Sequence, residues 1–139
     1  MALKGSGSDV TSSFITAAAA DPNGISTVAT ISGAANLAIN GALADGGSVT
    51  MDCPRNVTIL SAADDSGITF TVTGTDESGT AITEVITGAD STTATGSSFF
   101  QTVTQIATSG SSTGNVSAGS GTSCSGVISA SRCRLRGIY

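Results

Sequence analysis

The residues able to do chemistry in this 139-residue chain are few. Two acidic turns, Asp64-Asp65-Ser66-Gly67 and Asp76-Glu77-Ser78-Gly79, offer carboxylate and carbonyl oxygens of the kind that hold calcium. Neither has EF-hand spacing, and each is what an ordinary turn needs, since Asp bonds its own backbone and Gly supplies positive φ. Gly121-Thr122-Ser123-Cys124-Ser125 has the outline of a nucleophile elbow but lacks its final Gly. The chain has no His, which removes the commonest general base, the commonest metal ligand and any Ser-His-Asp triad. Lys4 is the only lysine, and no glycine-rich stretch has the context of a phosphate-binding loop. These residues predict a protein that is not an enzyme and that takes neither a cofactor nor a metal.

The three cysteines, Cys53, Cys124 and Cys133, form an odd set without CxxC spacing. That indicates neither a disulfide framework nor a zinc site, and buried free thiols are expected. Three of the five basic residues sit together in Arg132-Cys133-Arg134-Leu135-Arg136. Such a run is either an edge strand or tail with its charges in water, or a contact with an acidic partner. The sequons Asn56-Val57-Thr58 and Asn115-Val116-Ser117 are expected by chance in a chain so rich in Ser and Thr.

The elements that would carry these residues are strands. Ile68, Phe70 and Val72 alternate with Thr69, Thr71 and Thr73, the period of a half-buried strand. Gly74 is expected to break it, and after the turn formers Thr75 to Gly79 a second β-rich run, Ala81 to Thr87, returns as an antiparallel hairpin. There Ile82 and Ile86 share a face with Glu84 between them, which suggests a bulge near Glu84 or a strand covered on both sides. Further strands are read at Ile25–Ile31, with Ile25, Thr27, Ala29 and Ile31 on one face, from Leu37 and Ile39 through Leu43 into the turn Asp45-Gly46-Gly47, at Ser48–Met51 and at Val57–Ala62. Cys53-Pro54 marks an edge or an entry, because Pro cannot donate to a central ladder. Ala89–Ser97 reads as a Thr-rich loop. Ser98–Thr108 is a strand with Phe100 and Ile106 on one face and Phe99 and Val103 on the other, so it is read as either sandwiched or bulged. Ser109–Gly126 reads as loop, one weak strand at Gly114–Ala118, and loop again.

About eight short strands with scarcely any helical period make an all-β fold, a sandwich, jelly roll or barrel. The length suits a single domain. Residues 1–24 read as an N-terminal arm containing Phe14-Ile15, and 25–139 as the β domain with its C-terminal strand or tail. Aromatics make up only 4% of the chain and much of the apolar remainder is Ala, so the core is thin and help from partners is expected. A net charge of −5 argues against duplex-DNA binding. No run approaches transmembrane length and the start lacks a signal-peptide core, which predicts synthesis in the cytosol and no membrane partner.

Pro54-Arg55-Asn56-Val57-Thr58-Ile59, Asp64 to Asp76, Gly79 to Gly88, Phe100-Gln101-Thr102-Val103-Thr104 and Ser109 to Gly119 resemble small structural proteins of tailed bacteriophages, specifically head decoration or cement proteins. The likeness covers roughly half of the chain and consists of strand and turn pattern. It implies a jelly-roll-like antiparallel β-sandwich with extended terminal arms, placed on the outside of a virion shell as a dimer or trimer. There it would clamp neighbouring major capsid subunits. Phe14, Ile15, Arg132, Arg134, Leu135, Arg136 and Tyr139 are the expected contact residues. The alternative is a tail- or fibre-associated virion module that binds a host-surface glycan, against which stands the lack of Trp and the single Tyr for sugar stacking.

Overall fold

The computed structural model describes residues 18–125. Eight strands run through them: β1 (Asp21–Thr30), β2 (Ala44–Asp45), β3 (Ser48–Ser61), β4 (Thr69–Thr75), β5 (Ala81–Thr87), β6 (Thr93–Thr95), β7 (Phe100–Thr108) and β8 (Asn115–Cys124). No helix occurs among the described residues. All pairings are antiparallel, in the order β1-β8-β3-β7-β4-β5, with β2 and β6 also on β3.

Strand β3 organises the sheet, because it changes partners halfway along. Its first half pairs with β2 (Ala44↔Val49) and β7 (Val49↔Val103, Thr50↔Thr102). Its second half pairs with β8 (Val57↔Ser120 to Ser61↔Val116) and β6 (Thr58↔Thr95). Val49 and Met51 point inward while Thr50 and Asp52 point out, then Pro54 to Val57 are all buried where the strand passes from one half of the sheet to the other. The two halves enclose one core, to which Phe70, Val72, Phe100, Val103 and Ile106 come from one side and Ile25, Ile59 and Val116 from the other. The all-β antiparallel sandwich expected from the sequence is present.

The β4–β5 hairpin runs in unbroken register from Thr69↔Thr87 to Thr75↔Ala81. Its loop is closed by Asp76, whose Oδ1 accepts the amides of Ser78 (2.8 Å) and Thr80 (2.9 Å). Two expectations are corrected here. Gly74 does not end β4; it lies within it, where a Cβ would run into the Thr102 carbonyl oxygen of β7. No bulge occurs at Glu84, which points inward with Ile82 and Ile86 while Val85 faces out. The bulge is on β7, where Thr104 is the extra residue between the pairs Thr73↔Gln105 and Gly74↔Val103. It puts Val103 in phase with Ile106, three residues on, so the bulged alternative for this strand is the one observed, and Phe100 is buried as well.

Other boundaries move for similar reasons. β1 begins at Asp21, inside the segment assigned to the arm, and register shifts on either side of Ser26 bury Ile25 and Ser26 while leaving Thr27 to Thr30 exposed. The strand expected from Leu37 into Asp45 shrinks to β2 at its end: Asn36 makes an isolated bridge to Ala107, and Leu37 is buried with its amide on the Ile106 carbonyl (2.9 Å). β2 and β3 form a hairpin through Gly46-Gly47, both at positive φ (60° and 86°), the requirement of a tight two-residue turn. The Thr-rich loop contains β6. The largest change is β8, ten residues long and central, where sequence pattern suggests a strand of only five. It lies between β1 and β3 because its residues are small: a Cβ on Gly119 would overlap the Asp21 carbonyl and Pro22.

Candidate functional site

Both ends of the described body are held by four consecutive residues at the bend of β3. Pro54 sits inside the strand, not at an edge, next to a register shift between Thr50 and Arg55 where its missing N–H breaks no ladder bond. That irregularity lets Asp52 and Arg55, three residues apart, meet side by side. Arg55 Nε donates to Asp52 Oδ1 (2.7 Å) and Nη2 to Asp52 Oδ2 (3.0 Å), a bidentate pair. Nη1 donates to the Gly121 carbonyl (2.9 Å) and Nη2 to that of Ala18, while Asp52 Oδ2 accepts the Ala18 amide (2.8 Å). The first described residue is thus gripped through both of its peptide groups.

Arg55 is fully buried, whereas the Asp52 side chain remains 43% exposed. A buried guanidinium without partners would cost several kcal/mol, and the carboxylate together with two carbonyls offsets that cost. The Arg55 hydrogen bonds, followed by the Ala18 amide, hold the Asp52 carboxyl well below the usual carboxylate range.

The two residues between them hold the other end. Cys53 is joined to Cys124 by a disulfide with Cα atoms 6.1 Å apart, and the Pro54 carbonyl accepts the Ser125 amide (2.9 Å). The expectation of free thiols is therefore overturned for Cys53 and Cys124. The physical reason lies in β8: the strand continues past Ala118 along β3, pairs Cys124 with Arg55, and so carries one sulfur to the other. Cys133 lies outside the described residues. The elbow-like Gly121–Ser125 comprises the end of this extended strand, Gly121–Cys124, and the residue after it, with Cys124 bonded and no turn before it.

In the acidic turns Asp64 and Asp76 bond their own turns, whereas buried Asp65 accepts the distant Thr113 amide on Oδ1 (2.6 Å). Asp64 Oδ1 accepts from the Ser66 amide (3.0 Å) and hydroxyl (2.6 Å), and Asp76 Oδ1 accepts from the Ser78 hydroxyl (2.7 Å) besides its two amides. The Ser hydroxyls are the main cause that lowers both carboxyls below their ordinary value. Among the described residues no cluster of three metal-ligating side chains occurs. Glu84 plays a related structural part: its Oε1 accepts the amides of Ser97 (2.6 Å) and Ser98 (3.1 Å), fastening the approach to β7 onto the hairpin.

Three clefts surround the bend. One of about 420 Å³ lies under Ala18, beside Leu43, Met51, Asp52 and Arg55. A second, of about 380 Å³, is lined by Ala20 and Pro22 together with hydroxyl-bearing residues, among them Thr58, Thr93, Thr95 and Thr122. The third, of about 330 Å³, lies between Pro54, the acidic hairpin loop, Phe99 and Ser125. Of the contact residues expected from the sequence, Phe14, Ile15, Arg132, Arg134, Leu135, Arg136 and Tyr139 all lie outside the described residues. The anchoring role of Asp52, Cys53, Pro54 and Arg55 is not evident from sequence pattern. A signal exists in that Arg55 is the one cation between Lys4 and Arg132 and has an acid, Asp52, three residues before it. In comparisons with protein families, curated proteins and solved structures, the chain has no match.

Proposed function

We propose that this protein is a structural virion component that binds the outside of a phage capsid and cements neighbouring major capsid subunits through its two terminal segments. The observation that carries this reading is the common anchorage of both ends at Asp52–Arg55. Pull on residues preceding Ala18 is delivered to a buried ion pair, and pull on residues following Ser125 to a disulfide, both rooted in the longest strand. A clamp needs such a footing; a free globular module does not. The disulfide also suits a particle surface exposed to an oxidising medium. A closed lattice would multiply weak contacts made by each arm, which suits a body with a thin core.

The experiment removes residues 1–17, leaving Ala18 and its clasp in place, and measures occupancy on purified heads by electron microscopy and gel densitometry. Occupancy is expected to fall at least about tenfold while the β-type circular dichroism is retained, since loss of one of two linked contacts costs the avidity they share. Undiminished occupancy would sink the arm assignment, and finding the protein on tails would favour the glycan-binding alternative. That second reading draws on the Thr- and Ser-bearing cleft beside β6.

A further inference from the structure

Charge is divided unevenly between the described body and the C-terminal segment. Residues 18–125 contain nine of the ten acidic residues and one of the five basic ones, Arg55, which is buried and engaged with Asp52. Residues 126–139 contain no acid and three arginines. This basic segment sets out from Ser125, and Ser125 itself forms part of the wall of the third cleft, with Pro54, Asp76, Glu77 and Phe99. The hairpin loop directs its turn bonds to Asp76 Oδ1, and Glu77 is exposed. An acidic lip, two apolar walls and the start of an arginine-bearing segment thus meet in one place.

We propose that this cleft is the docking site of the chain's own C-terminal segment, with Arg132, Arg134 and Arg136 set against Asp76 and Glu77 beside Phe99 and Pro54. Six residues separate Ser125 from Arg132. Extended they span about 20 Å, enough to leave the rim and return to the facing wall. Exposed ion pairs are individually weak, so tethering decides the occupant. A linker this short gives an effective concentration on the order of millimolar, which outcompetes a second copy at micromolar protein. The inference does not depend on the capsid reading; if both hold, the free protein stores its C-terminal segment on the hairpin and a partner must displace it.

The test uses the full-length chain carrying Ser78→Cys, which puts a thiol at the rim and leaves both acids intact. Oxidised glutathione followed by non-reducing peptide mapping is expected to join residue 78 to Cys133 within one chain. The yield should drop at least about fivefold in roughly 1 M salt, where screening reaches within about 3 Å. The same drop is expected in Arg132→Gln/Arg134→Gln/Arg136→Gln, with the Cys53–Cys124 bond still intact. A link between two chains, or Cys133 left unlinked to residue 78, overturns the proposal. Should the thiol variant misfold, amide NMR shifts of the unsubstituted protein against the triple Gln variant give the same answer. Changes at Asp76–Gly79 and Phe99 that do not vary over a tenfold concentration range support it, and unchanged amides there refute it.

Discussion

Strands β4 and β5 carry Phe70, Val72 and Ile86 into the core, whereas β8, which crosses the other half of the sheet between β1 and β3, brings nothing larger than Val116. The hairpin half is held by apolar side chains in regular register. The β8 half is held by close backbone approach, by buried Ser117 and Ser120, and by the ion pair and disulfide at the bend. A chain poor in aromatics thus places Phe70 and Phe100 on one side and adds covalent and ionic ties to the aliphatic packing of Ile25, Ile59 and Val116 on the other. The ties are also where both ends of the body are fixed, so the weaker half in hydrophobic terms is the half through which load would pass.

The largest effect should come from the hairpin side. Phe70→Ala empties a fully shielded position and is expected to cost about 3–5 kcal/mol. Urea unfolding at pH 7 measures it; a loss under about 1 kcal/mol would mean that this half does not rest on its aromatic core. The tie on the other side comes next. The cross-link between Cys53 and Cys124 spans a sequence separation of 71 residues, and by the typical contribution of a disulfide its removal in Cys53→Ser/Cys124→Ser is expected to cost about 2–4 kcal/mol. If the double variant matched the parent in urea, the β8 half would be shown to stand without its covalent tie.

These two regions also differ in how openly the sequence declares them. The hairpin is legible because period-two alternation and an Asp-x-Ser-Gly turn are local statements, and each agrees with what the sheet requires. β8 reads as mostly loop because Ser, Gly and Thr score as linker, while the reason for small residues is a neighbour far away in sequence: Gly119 abuts Asp21 and Pro22. The same distance hides the disulfide, since three cysteines without motif spacing become a pair only once Arg55 is known to face Cys124. Pro54 reads as an edge or an entry, yet it lies within β3 at a register shift, which only the distant partners on both sides of that strand reveal. The contact residues proposed at the chain ends remain a reading of sequence alone, because they fall outside residues 18–125.

A third, smaller perturbation addresses the close approach directly. Gly119→Ala adds one methyl where the β1 backbone already lies, so β1 must move away from β8 at a cost of about 1–3 kcal/mol. Hydrogen exchange should show the loss concentrated in amides of β1 and β8, with β4 and β5 protected as before. Uniform loss across all strands would mean that the two halves unfold only together and that the contrast between them is structural and not energetic.

The smallest expected effect is the most diagnostic of the ion pair. Asp52→Asn removes the carboxylate but leaves an amide of the same shape, and Arg55 keeps the Gly121 and Ala18 carbonyls. Because Asp52 is 43% exposed, solvent screens the pair and the cost at pH 7 should be about 1–2 kcal/mol, below that of breaking a wholly buried pair. Its pH dependence separates it from a packing effect. Arg55 lowers the Asp52 carboxyl in the folded state, so the stabilisation is present above the unfolded value near 4 and disappears as pH falls below it. Parent and Asp52→Asn should therefore differ in urea midpoint at pH 7 and converge on acidification below pH 4. An equal gap at both pH values would assign the loss to shape and not to charge, and would leave Arg55 balanced by the two carbonyls alone.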